Sequence, residues 1–298
     1  MPDISKLRVN DLTDMARSRT RIAMVTAYDA SSARLADRAG VDVILVGDSA
    51  SMTVLGHEST IPVTLDEMLM FTRAVTRVVQ HAFVVADMPF GSYQPGEDEA
   101  LRNAIRFVKE AGADAVKLEG AGRTLTRIGS ILDAGIPVMG HVGLLPQSAA
   151  LGEGYKARGR TAADARRILE EARALERAGC FALVLEAIPA AVAAHISDAL
   201  KIPTIGIGAG PSCDGQVLVW HDLLGLTPGH VPRFVKPYAD LKTTIAGALE
   251  AYVGDVRSGS FPAAEHTYAM PDAELARFES QLAENSRREE FRTPLREP

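Results

Sequence analysis

The chain has 298 residues, and 32 Lys and Arg against 38 Asp and Glu give a formal net charge of -6, which excludes the broad basic face that nucleic-acid binding needs. Hydrophobic residues at 47% and charged residues at 23% exclude a disordered or fibrous chain and leave a globular one with a full core. Two cysteines, Cys180 and Cys213, are too few for a disulfide framework or a zinc cluster, and no apolar run approaches the ~20 residues that cross a bilayer.

Taken in order, the chain opens on MPDISKLRVNDL, which mixes charges with apolar residues and holds no signal-peptide core. With two thiols that pack as small apolar residues, the expected location is the cytoplasm, with no membrane partner. Asn10 or Asp11 caps a short helix over 12–17. Residues 21–29 form a strand, and 31–39 a helix closed by Gly40. Val43, Ile44, Leu45 and Val46 are a short run of β-branched and aliphatic residues, which reads as a strand buried on both faces. It stops on Gly47, Asp48 and Ser49. A helix over 64–79 carries Thr64 with Glu67 three residues on, a capping box. Strands follow at 81–91, 114–120, 136–143, 181–189 and 202–210. Helices at 98–111, 124–134, 161–178 and 190–200 alternate with them, three ending at Gly112, Gly135 and Gly179. Residues 216–224 fit helix or strand equally, and 233–236 supplies a candidate eighth strand. Residues 272–287 fit an amphipathic helix, and the last eight, FRTPLREP, a solvated tail.

Strand then helix, repeated about eight times, predicts an α/β chain folded as a closed (β/α)8 TIM barrel. An open doubly wound sheet is the competing topology, but no glycine-rich dinucleotide fingerprint follows the first strand. The connection over 144–160 is long and holds Gly152, Gly154 and Gly159; a lid and a plain surface excursion both fit it.

In a barrel of parallel strands, ligands sit at the carboxyl ends. Those ends carry Asp48, Asp87, Glu119, His141 and Glu186, then Gly206, Gly208 and Gly210. Asp48 alone reads equally as a helix cap. Three carboxylates on consecutive strands, however, repel and raise one another's pKa. A divalent cation relieves that, and hard oxygen donors without convergent Cys or His select a Mg²⁺-like ion over zinc. Lys117 lies two residues before Glu119, so both share a strand face. There it pairs with Glu119 or meets an anionic ligand. Glu186 follows Leu183, Val184 and Leu185, a setting that raises a carboxyl pKa and suits a general base. His141 reads as a satisfied core histidine or as a donor to an oxyanion. The three glycines read as close packing.

Together these ends resemble the ketopantoate (3-methyl-2-oxobutanoate) hydroxymethyltransferase family. The resemblance rests on VTAYDA (25–30), VGDSASM (46–52), ADMPFGSY (86–93), VKLEG (116–120) and GHVGLLPQS (140–148). It extends through LVLEAIP (183–189), GIGAG (206–210), CDGQVLVWHD (213–222) and SGSFP (258–262). It implies a barrel of the phosphoenolpyruvate/pyruvate type that uses Mg²⁺ and 5,10-methylenetetrahydrofolate in pantothenate biosynthesis. Carried over by position, it implies that Asp48, Asp87 and Glu119 hold the magnesium. Asp48, Ser49, Asp87 and Lys117 would contact the keto acid, with His141 beside it, and Glu186 would accept the proton. It further implies a homodecamer with exchanged C-terminal helices, hence a barrel over 1–268 and an exchange element over 269–298. YKARGR (155–160) and FVKPY (234–238) depart from the family's commoner YKVQGR and FVKRY. The alternatives are a Mg²⁺-dependent carbon–carbon lyase of the same barrel group and a non-catalytic keto-acid-binding barrel.

Overall fold

Eight apolar runs become eight parallel strands in the computed structural model, which describes residues 5–229 and 231–290. The tail 291–298 lies outside the described residues. In chain order the first half runs α1 (Val9–Arg17), β1 (Ile22–Thr26), α2 (Ala30–Arg38), β2 (Val43–Val46), α3 (Ala50–Thr53), α4 (Leu65–Thr76), β3 (Phe83–Asp87), α5 (Glu97–Lys109), β4 (Ala115–Glu119) and α6 (Thr124–Asp133). The second half runs β5 (Val138–Gly143), α7 (Pro146–Ser148), α8 (Ala162–Ala178), β6 (Ala182–Glu186), α9 (Ala190–Ala199), β7 (Thr204–Ile207), β8 (Gly215–Leu218), α10 (Trp220–Leu223), α11 (Leu241–Ser258) and α12 (Asp272–Glu290). The strands close in sequence order, β1 beside β8. This is the expected (β/α)8 barrel, and the open sheet is excluded.

Two apolar layers hold it. Alternate strand residues such as Met24, Leu45, Val85, Met139 and Ile205 pack on one another inside the barrel, and Leu12 of α1 joins them, closing the lower end. The intervening residues, Val84, Val116 and Leu183 among them, pack outward on helix residues such as Phe107, Ile128 and Leu175. Both faces of β2 to β5 are thus dry, which is why those runs are continuous rather than alternating, whereas Ala23 of β1 and Gln216 of β8 are exposed.

The helix starts follow their caps. Thr64 and Glu67 form the expected box, Thr64 N–H donating to Glu67 Oε2 at 2.8 Å and Glu67 N–H to Thr64 Oγ1 at 3.3 Å. Helix α1 begins at Val9, earlier than expected, because Asp11 accepts from the Arg8 N–H at 2.7 Å.

The eighth strand is a correction. Residues 233–236 are a turn at 233–234 followed by irregular chain, not a strand, and the eighth strand is Gly215–Leu218. Pro232 and Pro237 flank the rejected segment, and within it the Val235 N–H donates to the Pro232 carbonyl at 2.9 Å, closing a turn rather than a ladder. Gly215 suits the real strand because a Cβ there would lie 2.5 Å from the Ile22 carbonyl oxygen and 2.7 Å from Ile205 Cδ1. The ambiguous stretch 216–224 is both things in turn, β8 and then α10.

The chain groups into two compact units, one up to Leu241 and one from Lys242 on. The second holds α11, which the sequence reading did not anticipate, and α12, which it did. No helix among the described residues is long and apolar enough to cross a membrane.

Candidate active site

The period of the strands builds the site. Inside the barrel, Phe83 and Val85 are followed by Asp87, Ala115 by Lys117 and Glu119, Met139 by His141, and Val184 by Glu186. Each polar group continues an apolar inward column to the carboxyl end of its strand. The register sets their neighbours: Asp87 pairs with Lys117, Glu119 with His141, and Gly143 with Glu186.

Asp48 lies just past β2. Its N–H donates to Asp87 Oδ2 at 3.0 Å, and its own Oδ2 accepts from Gln147 Nε2 at 3.0 Å. It does not cap α3, whose N-terminus has no side-chain cap. Lys117 Nζ lies 2.8 Å from Asp87 Oδ1, so its ion-pair partner is Asp87 rather than Glu119. Its ammonium, a donor only, also lies 3.4 Å from His141 Nδ1. That nitrogen must then accept, which leaves the imidazole proton on Nε2, 3.2 Å from Glu186 Oε2. The structure therefore brings all five strand-end groups and Lys117 to one mouth.

Electrostatics at this mouth are unbalanced. One ammonium faces Asp48, Asp87, Glu119 and Glu186. Burial and the neighbouring Asp87 push Asp48 up to about 7. Glu119 is held well above the usual carboxylate range by burial and by Asp48. Burial raises Glu186 to about 7, against the pull of Lys117. Burial alone would lower the Lys117 pKa, yet Asp87, Glu119 and Asp48 raise it and keep it charged. His141 is pushed well below its usual value by burial and by Lys117, so it is neutral. It is buried between the lysine and Glu186, and its Nε2, though 3.2 Å from Glu186 Oε2, makes no hydrogen bond there.

Sequence reasoning missed Gln147, which is buried on the short helix α7. Its N–H donates to Glu119 Oε2 at 3.1 Å, and its Nε2 donates to Met88 O at 3.1 Å as well as to Asp48. Its Oε1 accepts from the Tyr93 hydroxyl at 2.8 Å and from Gln94 Nε2 at 3.1 Å. Tyr155 lies on the same connection, its phenol raised by burial and by Asp48, Glu119 and Glu186. Through Gln147 the start of the connection 144–160 is part of the mouth, while Leu151 and Tyr155 beyond it are exposed.

A second missed group supports Ser49. The Trp220 N–H donates to Thr26 Oγ1 at 2.9 Å, Thr26 donates to the Tyr28 hydroxyl at 2.8 Å, and Tyr28 lies 2.8 Å from Ser49 Oγ. Burial pushes the Tyr28 phenol up to about 12, so it keeps its proton. The glycines behave as packing: a Cβ on Gly208 would meet the Phe234 ring at 2.6 Å, and one on Gly210 would meet Ala190 Cβ at 2.5 Å. A cavity of 1510 Å³ lies elsewhere, along β8 and β1, and none of the carboxylates lines it.

Among the described residues no His, Cys, Asp and Glu side chains already enclose a point where a metal would sit. The donors nevertheless fit a hard cation. Glu119 Oε1 is buried without a hydrogen-bond partner, and Asp87 Oδ1 has only the ion pair with Lys117. Both cysteines are buried, and burial pushes Cys180 up to about 12, so its thiol is not poised to react.

A model of the ketopantoate hydroxymethyltransferase family matches residues 6–264. The chain belongs to that family. It is 53% identical over 268 residues to the 3-methyl-2-oxobutanoate hydroxymethyltransferase of Oleidesulfovibrio alaskensis, covering 90% of this chain and 93% of the relative. The same-named protein of Nitratidesulfovibrio vulgaris is 55% identical over 267 residues, 90% of this chain and 87% of that one. Among solved structures, phosphonopyruvate hydrolase complexed with oxalate and Mg²⁺ superposes with a TM-score of 0.57 at 15% identity, over 96% of this chain and 99% of that one. The 2,3-dimethylmalate lyase of the PEP mutase/isocitrate lyase superfamily gives 0.55 at 16%, over 92% and 98%. At such identities the likeness is one of fold alone, and it agrees with the closed (β/α)8 barrel.

Proposed function

We propose that this chain moves a hydroxymethyl group from 5,10-methylenetetrahydrofolate to 3-methyl-2-oxobutanoate, giving 2-dehydropantoate. As a member of its family the chain is a hydroxymethyl transferase of the pantothenate pathway. The assignment of roles rests on one observation. A carboxyl raised to about 7, Glu186, stands at the mouth with three carboxylates and a charged lysine.

Asp48, Asp87 and Glu119 are the residues that would hold Mg²⁺, on the strength of the unpartnered Glu119 Oε1, the Asp87 Oδ1 that only Lys117 meets, and the excess of carboxyl groups over the single lysine. When bound, the ion supplies positive charge at the ketone of a 2-oxo acid, where negative charge develops on loss of the adjacent proton. Lys117 adds charge at the same end of the keto acid. Ser49 offers a hydroxyl to it. His141 keeps its proton on the side of Glu186. Glu186, with 15% of its side chain exposed, is the group open to substrate, and it takes the C3 proton.

The chain also carries exposed apolar stripes. In α11, Ile245, Leu249, Tyr252 and Val256 share a face at helical spacing, and no residue of that helix is buried. In α12, Leu275, Phe278 and Leu282 do the same. Such stripes ask for a partner. We read them as contacts of a homodecamer that exchanges the segment 269–298 between subunits. The proposed location is the cytoplasm, supported by two free, buried cysteines.

The test is product formation from 3-methyl-2-oxobutanoate and 5,10-methylenetetrahydrofolate, with Mg²⁺ and after chelation. Activity lost on chelation and restored by Mg²⁺ is expected. Full activity in the chelated protein overturns the metal role, and no product with Mg²⁺ overturns the reaction.

A further inference from the structure

The three carboxylates share a feature that none of them shows alone: each has one oxygen held by an uncharged N–H. Asp87 Oδ2 accepts from the Asp48 N–H at 3.0 Å. Asp48 Oδ2 accepts from Gln147 Nε2 at 3.0 Å. Glu119 Oε2 accepts from the Gln147 N–H at 3.1 Å. The second oxygens are differently placed. Glu119 Oε1 is buried and unpartnered, Asp87 Oδ1 has Lys117, and Asp48 Oδ1 has no hydrogen bond among the described residues.

Gln147 supplies two of the three holds. Its amide cannot be turned round, because Nε2 faces two acceptors, Asp48 Oδ2 and Met88 O, while Oε1 faces two donors, Tyr93 and Gln94. Every hydrogen-bonding position of that amide is filled. It is 4% exposed, so water does not compete for the same bonds.

We propose that Gln147 is a positioning residue that sets metal selectivity, by leaving one oxygen each of Asp48 and Glu119 for the cation. The inference rests on the reading that Asp48, Asp87 and Glu119 hold a divalent ion. A small cation with few ligands is served by single oxygens from rigid carboxylates. Ca²⁺, which takes six to eight oxygens and often both of one carboxylate, is not. With Gln147 in place, Asp48 cannot offer both oxygens without breaking a buried hydrogen bond and leaving the amide unsatisfied. The residue therefore discriminates against the larger ion.

The experiment is titration calorimetry of the wild-type protein and of Gln147→Met with Mg²⁺ alone and Ca²⁺ alone, without substrate. Methionine keeps the length and removes the donor, so Asp48 Oδ2 is released while the backbone still holds Glu119. Mg²⁺ affinity should fall about 10–100-fold, as for other residues that orient metal ligands. Ca²⁺ affinity should fall on the order of tenfold less, so the preference for Mg²⁺ narrows. A fall of equal size for both ions means a merely structural role and overturns the proposal. Should Gln147→Met not fold, Tyr93→Phe removes the shorter of the two hydrogen bonds to Gln147 Oε1 and should narrow the preference in the same direction; an unchanged preference there overturns it too. Wild-type protein that binds neither ion overturns the metal reading itself, and the selectivity proposal falls with it, an outcome visible before any variant is made.

Discussion

Glu186 illustrates how a single side chain acquires its chemistry from position. It ends an inward column on β6, burial raises it to about 7, and the neutral His141 presents Nε2 to it at 3.2 Å. A base must be unprotonated to act, so the rate of C3 proton removal is expected to rise with pH and level off above about 7. A pH profile of keto-acid deuteration that is flat from 5 to 9 (about four pH units) would contradict this. Tyr28 makes a second test. With its partner Thr26 already donating, the phenol has its own hydrogen for Ser49, which leaves the Ser49 hydroxyl hydrogen for a substrate oxygen. Tyr28→Phe should weaken keto-acid binding by about 0.5–1.5 kcal/mol, seen as a higher KM with kcat little changed. An effect confined to kcat would place Tyr28 elsewhere in the mechanism. Asp87, Lys117, Glu119, His141 and Glu186 were legible in the sequence because strand periodicity points them inward, and Asp48 because it follows directly on the apolar run of β2. Gln147 was not, because it sits on a connection, where no period says which way a side chain faces.

At the scale of elements, the ends of β5 and β6 must approach closely for Glu186 to face the mouth. Gly143 permits this. Its φ of 101° is left-handed, and an added Cβ would run into the Glu186 carbonyl oxygen and lie 2.8 Å from Ile188 Cγ1. Gly143→Ala should destabilise the fold by about 1–3 kcal/mol in denaturant unfolding and lower activity more than stability alone explains. Stability within experimental error of wild type would show that the two strand ends can part freely. Seven strands were readable from apolar runs bounded by glycines and charges. The eighth was not, because Gly215, Gln216, Val217 and Leu218 form a short strand running almost directly into α10, and Phe234 and Val235 between Pro232 and Pro237 offered a decoy. Helix α11 escaped notice because Thr243, Thr244, Gly247 and Gly254 dilute its pattern, although Ile245, Leu249, Tyr252 and Val256 recur at spacings of a helix face.

For the whole molecule, the barrel unit supplies the mouth and the unit from Lys242 on supplies apolar stripes without buried residues. Placing a charge in the α11 stripe, as in Leu249→Glu, should lower the mass measured by light scattering after size exclusion. A variant that keeps the wild-type mass would remove α11 from the assembly contact. What the closed barrel achieves is to set the carboxylates of the β2, β3 and β4 ends together with Glu186 of β6 around one space. The most direct measurement of that arrangement is the exchange of the C3 hydrogen of 3-methyl-2-oxobutanoate in D₂O, followed by NMR with Mg²⁺ and without the folate. The expected result is exchange by the wild type and its loss by about 10²–10⁴-fold in Glu186→Gln, with keto-acid binding retained. Exchange at the wild-type rate in Glu186→Gln would contradict the assignment of Glu186 as the base.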